Sequence, residues 1–458
     1  MRVAFAVAVA MLLTMAHSAD AQRWRVLTPQ LSHTVVINPR DPAKLYVGNW
    51  ANQLLRSDDR GVTWRTLELG STNVINYVTS TAVTQADTGV ILTGGFWFDG
   101  IRRSSDGGET WQRALADTLN NARMWFISEA IIEDPSRPGL LYAARGVTNT
   151  GIWRSLDNGI TWDSISAVPP QFTGRLCTIA VRPDSTNILF VGATGGQIFR
   201  SDDSGRSWRR VPVVGSALSI KSDSEIPKIV FSPRDPSVGY AVVTIILEQN
   251  ISGNGGVLKT TDGGETWDRI AFADTSLWAV DVRQRNGQDE IFVGGFRLPN
   301  TQPIIKGDGL VFRSGDGGST WQQMLDVPWG TNELDDTIRN VWVIRCDPTS
   351  DRVYLATTPG LYVLDEETSV NEETGKGSAS TLATEVRDGL IEVTSPTWTS
   401  NSTQWSLVDL RGNVVCGGRH DGPLPLRINA SMVAAGVYAI ELNGGTQRAS
   451  TLVGLTAR

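Results

Sequence analysis

The sequence predicts an all-β protein: a seven-bladed β-propeller followed by a small β-sandwich. Three observations predict it. One eight-residue segment recurs six times, and the tryptophans that end its copies lie 47, 51, 46, 59 and 54 residues apart. A period near fifty, flanked by short alternating runs, is the spacing of propeller blades. The chain of 458 residues holds 46 glycines and 16 tryptophans, which favours a turn-dense β protein over a helical one.

The N-terminus comes first. Arg2 precedes an apolar run from Val3 to Met15, and Ala19-Asp20-Ala21 supplies a small-residue cleavage pattern. Residues 1–21 are therefore expected to be a secretory signal peptide, removed before Gln22. No other segment approaches ~18 uninterrupted apolar residues, so no transmembrane segment is expected in the mature chain.

The repeated segments are Ser57 to Trp64, Ser104 to Trp111, Ser155 to Trp162, Ser201 to Trp208, Thr260 to Trp267 and Ser314 to Trp321. Asp59, Asp106, Asp157, Asp203, Asp262 and Asp316 each stand two residues before a glycine. A short carboxylate there accepts hydrogen bonds from turn amides, and the glycine permits positive φ. Trp64, Trp111, Trp162, Trp208, Trp267 and Trp321 begin the returning strand and supply a large packing wedge. The six aspartates are read as turn caps, not as catalytic groups. This motif resembles the Asp-box, or BNR repeat, of sialidases, xyloglucanases, sortilin-type receptors and photosystem-assembly factors. The resemblance implies the fold and leaves function open, because those families do unrelated things.

The rest of each repeat reads as three more strands. Gln53 to Arg56 and Gln197 to Arg200 lead into the boxes, and Leu45-Tyr46-Val47 or Leu189-Phe190-Val191 precede those strands. Upstream lie Asp-Pro turns at Asp41-Pro42, Asp134-Pro135, Asp235-Pro236 and Asp347-Pro348. A seventh unit has three strands, Val341 to Cys346, Val353 to Ala356 and Leu361 to Leu364, but no box. Arg23-Trp24-Arg25-Val26-Leu27 mimics Thr63-Trp64-Arg65-Thr66-Leu67. The N-terminal strand is thus expected to complete the seventh blade and close a propeller spanning residues 22–364.

Residues 365–380 collect Asp365, Glu366, Glu367, Glu372 and Glu373 with glycine, serine and threonine, the composition of a flexible linker. Residues 381–458 return to short alternating strands. There, Asp409, Gly412 and Val414 form a D-x-x-G-x-V pattern, followed by Gly436 to Ile440 and a closing apolar strand. This tail resembles the C-terminal sorting domain of the type IX secretion system. The resemblance implies the type IX secretion machinery as a partner. It also implies passage through the periplasm to a secreted or cell-surface location.

Composition narrows the chemistry. There are 41 basic and 48 acidic residues, a formal net charge of −7, which argues against nucleic-acid binding. Three cysteines without a CxxC pair and three histidines leave little for a metal site, and no cofactor is expected. Function is expected on the face opposite the boxes, where the loops between second and third strands and the inter-blade connections lie. Reading those loops gives Trp50, Trp97, Asp99, Arg123, Trp125, Arg175, Arg297, Trp329, Asp335, Asp336 and Arg339 as candidate ligand-binding residues. Rings stack on apolar sugar faces, and guanidinium forks match carboxylates and sulfates.

A sialidase is disfavoured. Its arginine motif precedes the first box, whereas Phe296-Arg297-Leu298-Pro299 falls between the fifth and sixth, and Tyr77 is misplaced for a nucleophile. The expected function is a non-catalytic recognition or scaffold propeller that binds a glycan or protein ligand. The alternative is a glycoside hydrolase, resembling the xyloglucanases of this repeat class, that pairs Asp99 with Asp335 or Asp336. That chemistry needs carboxyl groups roughly 5–9.5 Å apart.

Overall fold

The computed structural model describes residues 23–365, apart from 51, 71–76, 97–99, 117–127, 147–150, 167–171, 173, 215–223, 247–253, 299–305 and 331–337. It also describes 383–455, apart from 388–389, 395–401, 410–413, 423, 430–435 and 444–447. Every regular element among the described residues is a β-strand. The chain divides into two compact units, 1–368 and 369–458.

The first unit holds seven sheets, in each of which consecutive blade strands pair antiparallel. Blade one runs Thr34–Ile37, Leu45–Gly48, Gln53–Ser57, Arg65–Glu68, each strand pairing with the next. The first strands of the seven blades are Thr34–Ile37, Tyr77–Val83, Ile131–Glu133, Leu176–Val181, Glu225–Phe231, Leu277–Arg285 and Val341–Cys346. Each touches the first strand of the blade before and after it, and the seventh touches the first. That cyclic contact makes a closed ring with the first strands innermost. The second strands sit between neighbouring blades and are apolar on both faces. Leu141–Arg145, Leu189–Ala193 and Val353–Thr357 are buried throughout. Fourth strands such as Arg65–Glu68 bury one residue in four.

The ring closes as expected. Arg23–Thr28 pairs antiparallel with Gly360–Asp365, placing Arg23 opposite Asp365, Trp24 opposite Leu364 and Val26 opposite Tyr362. An N-terminal strand therefore fills the outer position of blade seven. Blade five departs from the four-strand pattern. Val213–Val214 adds a fifth strand, parallel to Trp267–Ala271, and the Trp267 ring becomes fully buried beside Phe190 and Phe231.

The second unit packs two sheets around Ile391, Val393, Leu407, Leu426, Ile428, Ile440 and Leu442. One sheet is Ala383–Arg387, Leu390–Thr394 and Leu426–Asn429. The other orders Val414–Asp421, Ser402–Asp409, Gly436–Asn443 and Arg448–Leu455. This is a small β-sandwich.

Candidate functional site

The box carboxylates are engaged in their own turns. Asp59 Oδ1 accepts from the Thr63 N–H at 2.8 Å and from Ser57 Oγ at 2.8 Å, and Oδ2 accepts from Thr63 Oγ1 at 2.5 Å. The same bonds recur at Asp106, Asp157, Asp203, Asp262 and Asp316. Donation from Thr63, Thr110 and Thr320 holds Asp59, Asp106 and Asp316 at a pKa of about 2. A carboxylate so stabilised is a poor proton donor or acceptor at neutral pH.

Of the candidates expected on the opposite face, Trp97, Asp99, Arg123, Trp125, Asp335 and Asp336 fall outside the described residues. Three of the remaining candidates converge where blades six and seven meet. The Arg297 N–H donates to Asn340 Oδ1 at 2.7 Å, and Asn340 Nδ2 donates back to the Arg297 carbonyl at 2.9 Å. Asn340 is buried, and this reciprocal pair mimics a strand contact between the two blades. Asp308 adds a second clasp. Its Oδ1 accepts the Arg339 N–H at 2.6 Å, and its Oδ2 lies 3.7 Å from the Arg297 guanidinium. Trp329 packs edge-on against Tyr362 with ring centres 5.7 Å apart. The other two described candidates belong elsewhere. Trp50 lies in blade one, where its N–H donates to Asn49 Oδ1 at 2.6 Å. Arg175 enters blade four and pairs with buried Glu225 of blade five. Burial raises the Glu225 pKa, against the pull of Arg175.

Sequence reading missed Asp308 and Asn340, although Gly307-Asp308-Gly309 stands out as a carboxylate between two glycines. It also missed the ring axis. Trp342 of blade seven touches His33 of blade one, and Trp278 and Phe296 of blade six. His33 in turn meets Tyr77 of blade two. Burial keeps His33 neutral, with its pKa near 3.

Charged groups also meet across the axis. Glu129, just ahead of blade three, pairs with Lys228 of blade five and Arg345 of blade seven. The Arg345 guanidinium also lies 3.9 Å from Asp281 of blade six, which accepts the Cys346 N–H at 2.8 Å. Blades three, five and seven share no sheet face, so these pairs can meet only at the axis. Burial lowers Lys228 to about 8 and raises Asp281 to about 6. A sequence signal existed: single charges inside apolar inner strands, as in Val280-Asp281-Val282 and Ile344-Arg345-Cys346. On the box side a cavity of about 900 Å³ opens, lined by Arg60, Arg283, Cys346, Asp347, Arg352 and Asp365 among others. No His, Cys, Asp and Glu group among the described residues is arranged to hold a metal ion.

With this geometry in place, the likenesses to known proteins divide fold from function. A family model described as Sortilin-Vps10 (sortilin, neurotensin receptor 3) matches residues 150–305. The xyloglucanase Xgh74A of Acetivibrio thermocellus is 22 % identical over 355 residues, covering 65 % of this chain and 40 % of that protein. Among solved structures, the xyloglucanase from Xanthomonas campestris aligns with a TM-score of 0.55 at 18 % identity, covering 75 % of this chain and 53 % of the other. The GH74 enzyme of Niastella koreensis aligns with a TM-score of 0.55 at 17 % identity, covering 94 % and 74 %. The structural likenesses show the propeller fold. The expectation of a non-catalytic scaffold is corrected by the sequence relatives, which carry the name xyloglucanase from bacteria to fungi. Turn caps and blade strands are common to scaffolds and hydrolases alike, so the repeats that dominate the sequence had no power to separate the two.

Proposed function

We propose that this chain is a secreted glycoside hydrolase acting on a β-linked polysaccharide of the xyloglucan type, with its site on the face of the inter-blade connections. The observation that carries this reading is the group of sequence relatives named as xyloglucanases. The chain spans 40 % of the length of the relative described above, so the reading concerns what this chain does by itself.

Asp99 pairs with Asp335 or Asp336 in this reading. One carboxylic acid protonates the glycosidic oxygen, and the other carboxylate activates water or attacks the anomeric carbon. The clasps of Asn340 and Asp308 support it, because they fix Arg339, three residues beyond Asp336, against blade six. The test is release of reducing ends from xyloglucan by the purified chain. Asp99→Asn should lower kcat by about a hundredfold or more, as expected for loss of a general acid or base. A folded chain that cleaves no β-glucan overturns the reading.

The six capped turns are, in the same proposal, Asp-boxes of the BNR type. Residues 381–458 act as a type IX sorting domain, joined by a linker over 365–380. The D-x-x-G-x-V residues support this assignment, since Asp409 ends one strand and Val414 begins its antiparallel partner. The Gly436–Asn443 strand lies against the other side of Ser402–Asp409.

A further inference from the structure

Arg339 presents its side chain to solvent on the face of the inter-blade connections. Its backbone is fully engaged: the N–H donates to Asp308 Oδ1 at 2.6 Å, and the carbonyl accepts from the Gly309 N–H at 3.1 Å. Asp308 is the adjoining carboxylate, and its other oxygen lies toward the Arg297 guanidinium. Among the described residues, no carboxylate pairs with the Arg339 guanidinium.

A fixed aromatic ring stands beside it. A Cβ built on Gly309 would lie 3.4 Å from Arg339 Cδ and 3.9 Å from Trp329 Nε1. Gly309 has φ +68°, so a side chain is disfavoured there on backbone grounds too. Trp329 is half-buried and held against Tyr362, whose hydroxyl oxygen accepts the Gly330 N–H at 3.1 Å. The result is a held indole and a solvent-facing arginine side chain, both beside a residue without a side chain.

Each part selects for one feature of a ligand. An indole packs against the C–H face of a pyranose ring. A guanidinium gains most from a planar carboxylate, which accepts two parallel N–H bonds, and much less from a hydroxyl. We propose that Trp329 and Arg339 form a subsite for an acidic sugar, a uronate residue carried by the glycan. This deepens the hydrolase reading by adding a charged residue to the substrate, and it rests on that reading for the ligand being a glycan.

Isothermal titration of the full mature chain tests it. The probes are two β-glucan oligosaccharides that differ only in one branch sugar, glucuronate in one and glucose in the other. The uronate probe should bind about tenfold more tightly, the range of one charge-assisted bidentate contact. The preference should shrink in high salt. Arg339→Gln should abolish the preference by bringing the uronate probe's affinity down to that of the neutral probe, and Trp329→Ala should weaken both probes. Equal wild-type affinities, or a preference that survives in Arg339→Gln, would overturn the subsite. Hydrolysis of both probes at equal rate with equal affinity would retain the hydrolase and remove the subsite. A uronate preference without any hydrolysis would do the reverse.

Discussion

At the residue scale, the turn aspartate shows how a local pattern becomes stability. Asp203 accepts the Ser207 N–H at 2.8 Å, Ser207 Oγ at 2.6 Å and Ser201 Oγ at 2.8 Å. Asp203→Ala removes these acceptors and should cost about 1–2 kcal/mol, by analogy with helix caps. Urea unfolding measures the loss, and unchanged stability with lost glycan binding would reverse the assignment. The pH dependence has a definite sign. Donation from Ser207 Oγ lowers the Asp203 pKa to about 2, and Asp59, Asp106 and Asp316 stand equally low. A folded pKa below the unfolded 3.8 means the stabilisation is complete above about pH 4 and is lost as pH falls toward about 2. Calorimetry should show the melting temperature falling steeply across that window, and a flat profile would contradict it. These turns were legible because every bond spans four residues or fewer. Asp281 and Arg345 were not, because alternation along a strand says nothing of what stands across the ring.

At the scale of elements, the boxes also join one blade to the next. A Cβ on Gly108 would lie 2.4 Å from Leu67 Cδ1 of the preceding blade, one on Gly205 2.6 Å from Ile165 Cδ1, and one on Gly318 2.5 Å from Ile270 Cδ1. Ahead of several boxes the basic residue reaches forward to the next blade. Arg56 donates to the Gly107 carbonyl at 2.9 Å, Arg200 to Gly263 at 2.9 Å and Lys259 to Gly317 at 2.7 Å. The N-terminal strand takes the same role for the last junction, since a Cβ on Gly61 would lie 2.7 Å from Leu27 Cδ1. Deleting residues 22–28 therefore removes both the fourth strand of blade seven and its contact with blade one. The melting temperature should fall sharply, and a chain beginning at Pro29 that melts with the intact one would disprove closure by this strand. The mimicry between Arg23-Trp24-Arg25 and Thr63-Trp64-Arg65 made this pairing readable. The fifth strand in blade five was not readable, because Val213-Val214 is too short to carry a period.

At the scale of the whole molecule, the ring and the tail make separate demands. The ring is spanned at its axis by Glu129, which faces Lys228 and Arg345 and is itself held at φ +29°. Glu129→Gln would leave the buried Lys228 without its paired carboxylate and weaken the hold on the half-buried Arg345, and should cost about 3–5 kcal/mol, the range for breaking a buried ion pair. Urea unfolding would show it, and a loss near zero would mean that water screens the axis. The tail has its own core, with Ile391, Leu407 and Ile440 fully buried within residues 369–458. A unit with its own core contributes no blade, and its removal should leave the seven sheets intact. Truncation after Ser380 should therefore yield a folded propeller with the melting transition of the parent ring. If the tail is the sorting signal, that truncated chain should remain in the periplasm of a type IX-competent host. Residues 381–458 fused to a periplasmic reporter should carry the reporter outward. Fractionation of periplasm, cell surface and medium decides between the outcomes. Normal export of the truncated chain would reject the sorting role and make the tail a binding or packing module.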